Sequence, residues 1–149
     1  MKIGNPKSII NPYEWLPCDG ESGVSFRPDG VDMIIEVDYA KNRPTSDDEE
    51  VLIYRKEIRF KAANYFLKTP FPGTSVFFDY DVNSKKPNLG HLTEYQNSEF
   101  AQNCIKTQKS LYAGYPSNMR HFSIQFLSEN IAFHVLAEDV FLSDEFIVA

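Results

Sequence analysis

From Val31 the chain alternates apolar and polar positions with a period of two, the pattern of a strand with one buried face. Met33, Ile35, Val37 and Tyr39 fall on one side, with Asp32, Glu36 and Asp38 on the other and Ile34 among them. A strand with an apolar face and an acidic face is predicted there. Residues 43–50, Arg-Pro-Thr-Ser-Asp-Asp-Glu-Glu, read as an exposed turn, because proline, serine and clustered like charges resist a packed strand. A second strand is predicted over residues 51–60, where Leu52, Tyr54, Ile58 and Phe60 alternate with Ile53, Arg55, Glu57 and Arg59, so that the basic residues turn outward. Pro70, Pro72 and Gly73 mark a break. Beyond it Val76, Phe78, Tyr80 and Val82 alternate with Phe77, Asp79 and Asp81, which predicts a third strand with acid outside.

Ser98 followed by Glu99 reads as a helix start, and Phe100, Cys104 and Ile105 recur on one helical face, so one helix is expected over residues 98–109. Residues 119–137 read as a hairpin. An even connection, either two residues at Ser128 and Glu129 or four ending at Asn130, sets Phe122, Ile124 and Phe126 opposite Val135, Phe133 and Ile131. An odd one splits that apolar set between faces, and a buried face specifies register strongly. The even register is therefore expected, with His134 on the more polar side as a surface or rim residue. Phe141, Leu142, Phe146, Ile147 and Val148 indicate a final strand or packed tail. The first thirty residues hold Pro6, Pro12, Pro17 and Pro28 with four glycines, which suggests an irregular arm held by Trp15. The expected fold is α+β: a mainly antiparallel sheet of about five to seven strands with one main helix. Residues 1–149 are read as a single domain, an arm over 1–30 and a body over 31–149.

Composition narrows the class. A length of 149 residues is that of one domain, and 42% apolar with 14% aromatic residues argues against disorder. No apolar run nears the roughly 18 residues of a membrane helix, so no membrane partner is expected. Cys18 and Cys104 are too few to staple a fold or close a four-ligand zinc site, and the N-terminus lacks the apolar stretch of a secretory signal. A reduced, cytoplasmic setting is the expectation. The 21 acidic and 15 basic side chains leave a net charge of -6, distributed unevenly. Residues 1–50 carry 5 basic and 11 acidic groups, residues 51–116 carry 9 and 5, and residues 117–149 carry 1 and 5.

The chemistry-bearing residues form no catalytic signature. His91, His121 and His134 have no second ligand at zinc spacing, and Cys104 falls mid-helix on the apolar face as an inert core thiol. Cys18, beside Asp19, has a neighbour that raises its pKa rather than activating it. Phosphate-binding glycine loops, dinucleotide fingerprints, nucleophile elbows and metalloprotease motifs are missing from the sequence, so no catalytic residue and no cofactor is expected. Glu36 with Asp38, and Asp79 with Asp81, stand two apart on predicted strands and could serve a divalent cation or glycoside hydrolysis, although a solvated sheet face explains them as well. Acid is the feature that suggests a task. Asp32, Glu36, Asp38, Asp79 and Asp81, with the run Asp47, Asp48, Glu49 and Glu50, become one negative patch if their strands pair. Such a patch steers a basic protein and repels phosphate backbones, so a basic partner is expected and nucleic acid is not. Arg55, Lys56, Arg59 and Lys61 qualify the patch, because they could neutralise part of it across the sheet.

The segment from His121 to Asp139, His-Phe-Ser-Ile-Gln-Phe-Leu-Ser-Glu-Asn-Ile-Ala-Phe-His-Val-Leu-Ala-Glu-Asp, resembles the closing hairpin of small bacterial immunity-type proteins, which neutralise a secreted toxin by binding it. It covers under a fifth of the chain and carries over no functional residue. The resemblance implies a small, cytosolic, acidic, mostly β protein that occupies another protein's surface. The leading expectation is thus a non-enzymatic binding protein, an immunity-like inhibitor of a basic toxin or enzyme. The alternative is a small hydrolase or ligand-binding barrel whose aromatic interior, with Tyr54, Tyr65, Phe66, Phe78, Tyr80, Phe122 and Phe133, encloses a pocket. A filled or a hollow interior separates the two.

Overall fold

A computed structural model describes residues 1–42, 51–71, 77, 86–111 and 118–148. The described chain is mainly antiparallel β with one α-helix, as the alternation predicts, and its strands divide between two five-stranded sheets. The first sheet contains β1 (Asn5–Ile10), β5 (Tyr65–Pro70), β6 (Leu92–Gln96), β7 (Arg120–Phe126) and β8 (Ile131–Ala137) in the order β1-β6-β7-β8-β5. The second contains β2 (Gly23–Asp29), β3 (Asp32–Asn42), β4 (Val51–Lys61), β9 (Asp139–Leu142) and β10 (Phe146–Ile147). Here β3 lies between β2 and β4, and β9 and β10 follow one another along the far edge of β4.

The two sheets pack face to face. Ile35, Val37, Ile58 and Phe60 from the second sheet meet Leu92, Phe122, Ile124, Phe126, Phe133, Val135 and Ala137 from the first in one core. Aromatic rings bridge the layers, Phe60 to Phe122 at 5.9 Å between centroids and Phe26 to Phe66 at 5.1 Å. Alternation places these residues on the inner faces. The β7–β8 register is the even one: Phe122 pairs with Val135, Ile124 with Phe133 and Phe126 with Ile131. A four-residue turn closes the hairpin at Asn130, in the left-handed region at φ 54, a conformation asparagine tolerates better than most residues.

The arm expected over residues 1–30 is corrected: it contains β1, a short 3-10 turn (Pro12–Glu14) and β2. Pro6 and Pro28 are compatible with strands because β1 and β2 are edge strands, where the missing N–H need not enter a ladder. Gly30, at φ 61, makes the two-residue turn between Asp29 and Asp32 possible. Trp15 packs on the core, 5.4 Å from the Tyr39 ring, with the Lys56 ammonium 5.3 Å above its face. The third strand expected over residues 76–82 lies outside the described residues except for Phe77, which is buried.

The helix α1 (Glu99–Leu111) covers the outer face of the first sheet. Ala101 and Cys104 pack with Met119 and Leu136, joined by Phe100 and Ile105. Ser98 caps its start, with the Ala101 N–H donating to Ser98 Oγ at 3.2 Å. No described helix is long and apolar enough to cross a membrane.

Candidate functional site

The outer face of the second sheet gathers the charge. On β3, Asp32, Ile34, Glu36 and Asp38 share this face, and antiparallel pairing sets Arg59 opposite Ile34, Glu57 opposite Glu36 and Arg55 opposite Asp38. On β2, Ser25, Arg27 and Asp29 complete the row. Of the carboxylates expected to form a contiguous acidic patch, Asp32, Glu36 and Asp38 are interleaved with guanidinium groups. Arg55 grips Asp38 with two bonds of 2.6 and 2.9 Å and reaches Glu36 at 3.2 Å. Arg27 donates to Glu36 at 2.7 Å from the other side, and Ser25 adds a bond of 3.0 Å. These two arginines offset the repulsion between Glu36 and Glu57, which pair directly; Arg27 lies 3.5 Å from Glu57.

Asp32 is the most enclosed of the ion-paired carboxylates on this face. It accepts from the Ala62 N–H at 2.9 Å and from Arg59 at 2.9 Å, and Lys61 stands at 3.3 Å. The Ala62 N–H, with Arg59 and Lys61, holds its carboxyl below the usual range against the upward push of burial. Burial pushes Glu36 up, but its bonds to Arg27 and Ser25 and the charge of Arg55 outweigh this and leave it below its ordinary value. Asp29, Asp32, Glu36, Asp38 and Glu57 face Arg27, Arg55, Arg59 and Lys61, so these pairs are close to electrically balanced. Asp47, Asp48, Glu49, Glu50, Asp79 and Asp81 lie outside the described residues. A shallow groove of about 350 Å³ borders the face, lined by Glu57, Arg59, Lys61, Phe141, Leu142 and Ser143.

Between the sheets the described side chains form one packed core. Phe66, Phe122 and Phe133 lie in that core, whereas Tyr54 stacks on Tyr39 beyond it and Tyr65 packs against Phe100 on the helix side. The described aromatic residues therefore do not surround one cavity. Phe78 and Tyr80 lie outside the described residues.

A polar chain that sequence reasoning missed runs beneath α1. Ser98 Oγ lies 2.7 Å from His121 Nδ1, and His121 Nε2 lies 2.9 Å from His134 Nδ1. His134, expected at the surface or rim, is only 6% exposed, and His121 is 0% exposed. The correction has a plain cause: the second face of β7 and β8 is itself covered, by α1 and by Phe77, whose ring centroid is 4.4 Å from that of His134. The signal that could have revealed it is the apolar face of the helix, which needed a sheet face to pack on. Burial, and then the neighbouring His134, lowers His121 to about 3, and burial lowers His134 to about 4. Ser98 Oγ accepts from the Ala101 N–H and keeps a hydroxyl hydrogen and a second lone pair for His121 Nδ1, so Ser98, His121 and His134 form one hydrogen-bonded chain whose donors are set by the imidazole tautomers. Ser98 is buried and committed to the helix cap, so this chain orients and seals rather than presenting a nucleophile. Nearby, the Tyr95 hydroxyl pairs with Ser123 at 2.8 Å. Among the described residues no three His, Cys, Asp or Glu side chains converge as a metal site, and both cysteines are free, Cys18 exposed and Cys104 buried. Compared with protein-family models, curated proteins and solved structures, the chain finds no match.

Proposed function

We propose that the protein is a non-enzymatic binding protein, an immunity-like inhibitor that docks a basic toxin or enzyme through the charged outer face of the second sheet and the run Asp47, Asp48, Glu49 and Glu50. The observation that carries this reading is the fixed array of carboxylates on β3, with Glu36 and Asp38 clamped by Arg27 and Arg55. A cation arriving at a carboxylate that is already ordered costs less side-chain freedom than one arriving at a mobile group. The array is nearly balanced locally, so long-range attraction comes from the net charge of -6 and from the acidic run. The packed core of the described residues favours this reading over an enclosed ligand.

Affinity capture from the source lysate, followed by association kinetics at two salt concentrations, tests it. Charge reversal at Asp47, Asp48, Glu49 and Glu50 is expected to slow association and flatten its salt dependence, because attraction between exposed charges is screened over about 8 Å at physiological ionic strength. An unchanged on-rate removes the acidic run from the interface. Turnover of a small substrate, with no protein captured, overturns the reading.

A further inference from the structure

Among the described residues, the four sheet edges are not guarded alike. β1 carries Pro6 and Lys7, β2 carries Pro28 and Arg27, and β5 carries Pro70 and Lys68, the residue types that discourage another strand from pairing. The fourth edge, formed by β9 and β10, has neither proline nor a cation. It follows β4 from the pairing of Asp139 with Lys61 to the bond from Val148 N–H to Ile53 carbonyl. Along it Phe141, Phe146, Ile147 and Val148 are exposed, Phe141 by 52% and Ile147 by 57%. An unguarded strand edge with exposed apolar side chains is a template for strand addition.

Charge selects the occupant. Residues 121–148 contain no Lys or Arg, while Glu138, Asp139, Asp144 and Glu145 flank the apolar positions of this edge, Asp139 held by Arg120 and Glu145 by Lys41 and Tyr39. A second copy presenting the same edge would set acid against acid, whereas an extended segment alternating basic and apolar residues meets both features. We propose that the β9–β10 edge receives such a segment of the basic partner as an added strand. This rests on the reading that the partner is basic, and assigns its docking mode to main-chain pairing at one edge. On β9 the ladder begins at Leu142, because the Phe141 and Ser143 N–H groups face β4 and the outward Val140 N–H is already taken by the Asp139 carboxylate at 2.8 Å.

The test uses the full chain and an acetylated, amidated octapeptide of alternating Arg and Val, read by amide hydrogen exchange and chemical shifts. Binding is expected to slow exchange at Leu142 and Ile147, whose amides face away from β4, at least about tenfold, as newly paired amides do. The same peptide N-methylated on alternate residues should lose that protection, and an alternating Glu and Val peptide should not bind. Phe141→Lys, at an exposed position that leaves the core intact, should weaken binding on the order of tenfold. If the N-methylated peptide binds equally and shifts Glu36 and Asp38, the basic partner stands and the edge proposal falls. No protection at Leu142 and Ile147 also overturns it. So does self-association that Phe141→Lys abolishes, because the occupant is then a second copy.

Discussion

Acidification from pH 7.5 to 5 should destabilise the fold through His121 and His134 before the paired carboxylates titrate. In the unfolded chain both imidazoles titrate near 6.5, while in the fold burial lowers them to about 3 and about 4. Above pH 6.5 neither state is protonated and the pair costs nothing. Below it the unfolded state binds protons that the folded state refuses, so stability falls until the folded values are reached. At pH 5 each histidine has lost about 1.5 units of this difference, about 2 kcal/mol apiece and about 4 kcal/mol together. That is a large share of the roughly 5 to 15 kcal/mol that holds a domain folded. The carboxylates held low, Asp32 and Glu36 among them, have ordinary values of 3.8 and 4.5 and lose their contribution at lower pH. Urea denaturation at pH 7.5, 6 and 5 measures the fall. His134→Gln, which keeps a hydrogen-bonding group without titrating, should roughly halve it. A loss under about 1 kcal/mol in the native protein, or an unchanged slope in His134→Gln, would refute neutral burial of the pair.

Two further outcomes follow from the packing. Phe122→Ala and Phe133→Ala, at fully buried positions in the core between the sheets, should each cost about 3 to 5 kcal/mol by chemical denaturation, and a loss under about 1 kcal/mol would mean an accessible ring. Ser98→Ala removes a helix cap, worth about 1 kcal/mol, and strands His121 Nδ1, worth about 1 to 3 kcal/mol more; denaturation gives the sum, and hydrogen exchange should show α1 opening first.

The β7–β8 pairing was legible because both strands carry apolar residues at alternate positions, and only an even turn puts those sets on one face. The start of α1 was legible from Ser98. The N-terminal strands were not, because Pro6 and Pro28 are strand-breakers by composition, and only the edge positions of β1 and β2 make them harmless. Nor could alternation assign strands to two sheets: β5 pairs with β8 across more than sixty residues, and period alone carries no partner information. The acidic face was half legible. Alternation turned Arg55 and Arg59 outward, but their seats against Asp38 and Asp32 depend on the β3–β4 register, which alternation alone does not fix.

The order in which the chain supplies its layers bears on synthesis. β2, β3 and β4 are contiguous and complete by Lys61, yet β7 and β8, which cover their apolar inner face, end only at Ala137. At about 5 to 20 residues per second, the intervening chain takes several seconds to emerge. During that interval Ile35, Val37, Ile58 and Phe60 lack the layer that later covers them, and β1 waits for β6. The species most exposed to aggregation is therefore the nascent chain on the ribosome, and slower translation lengthens its exposure.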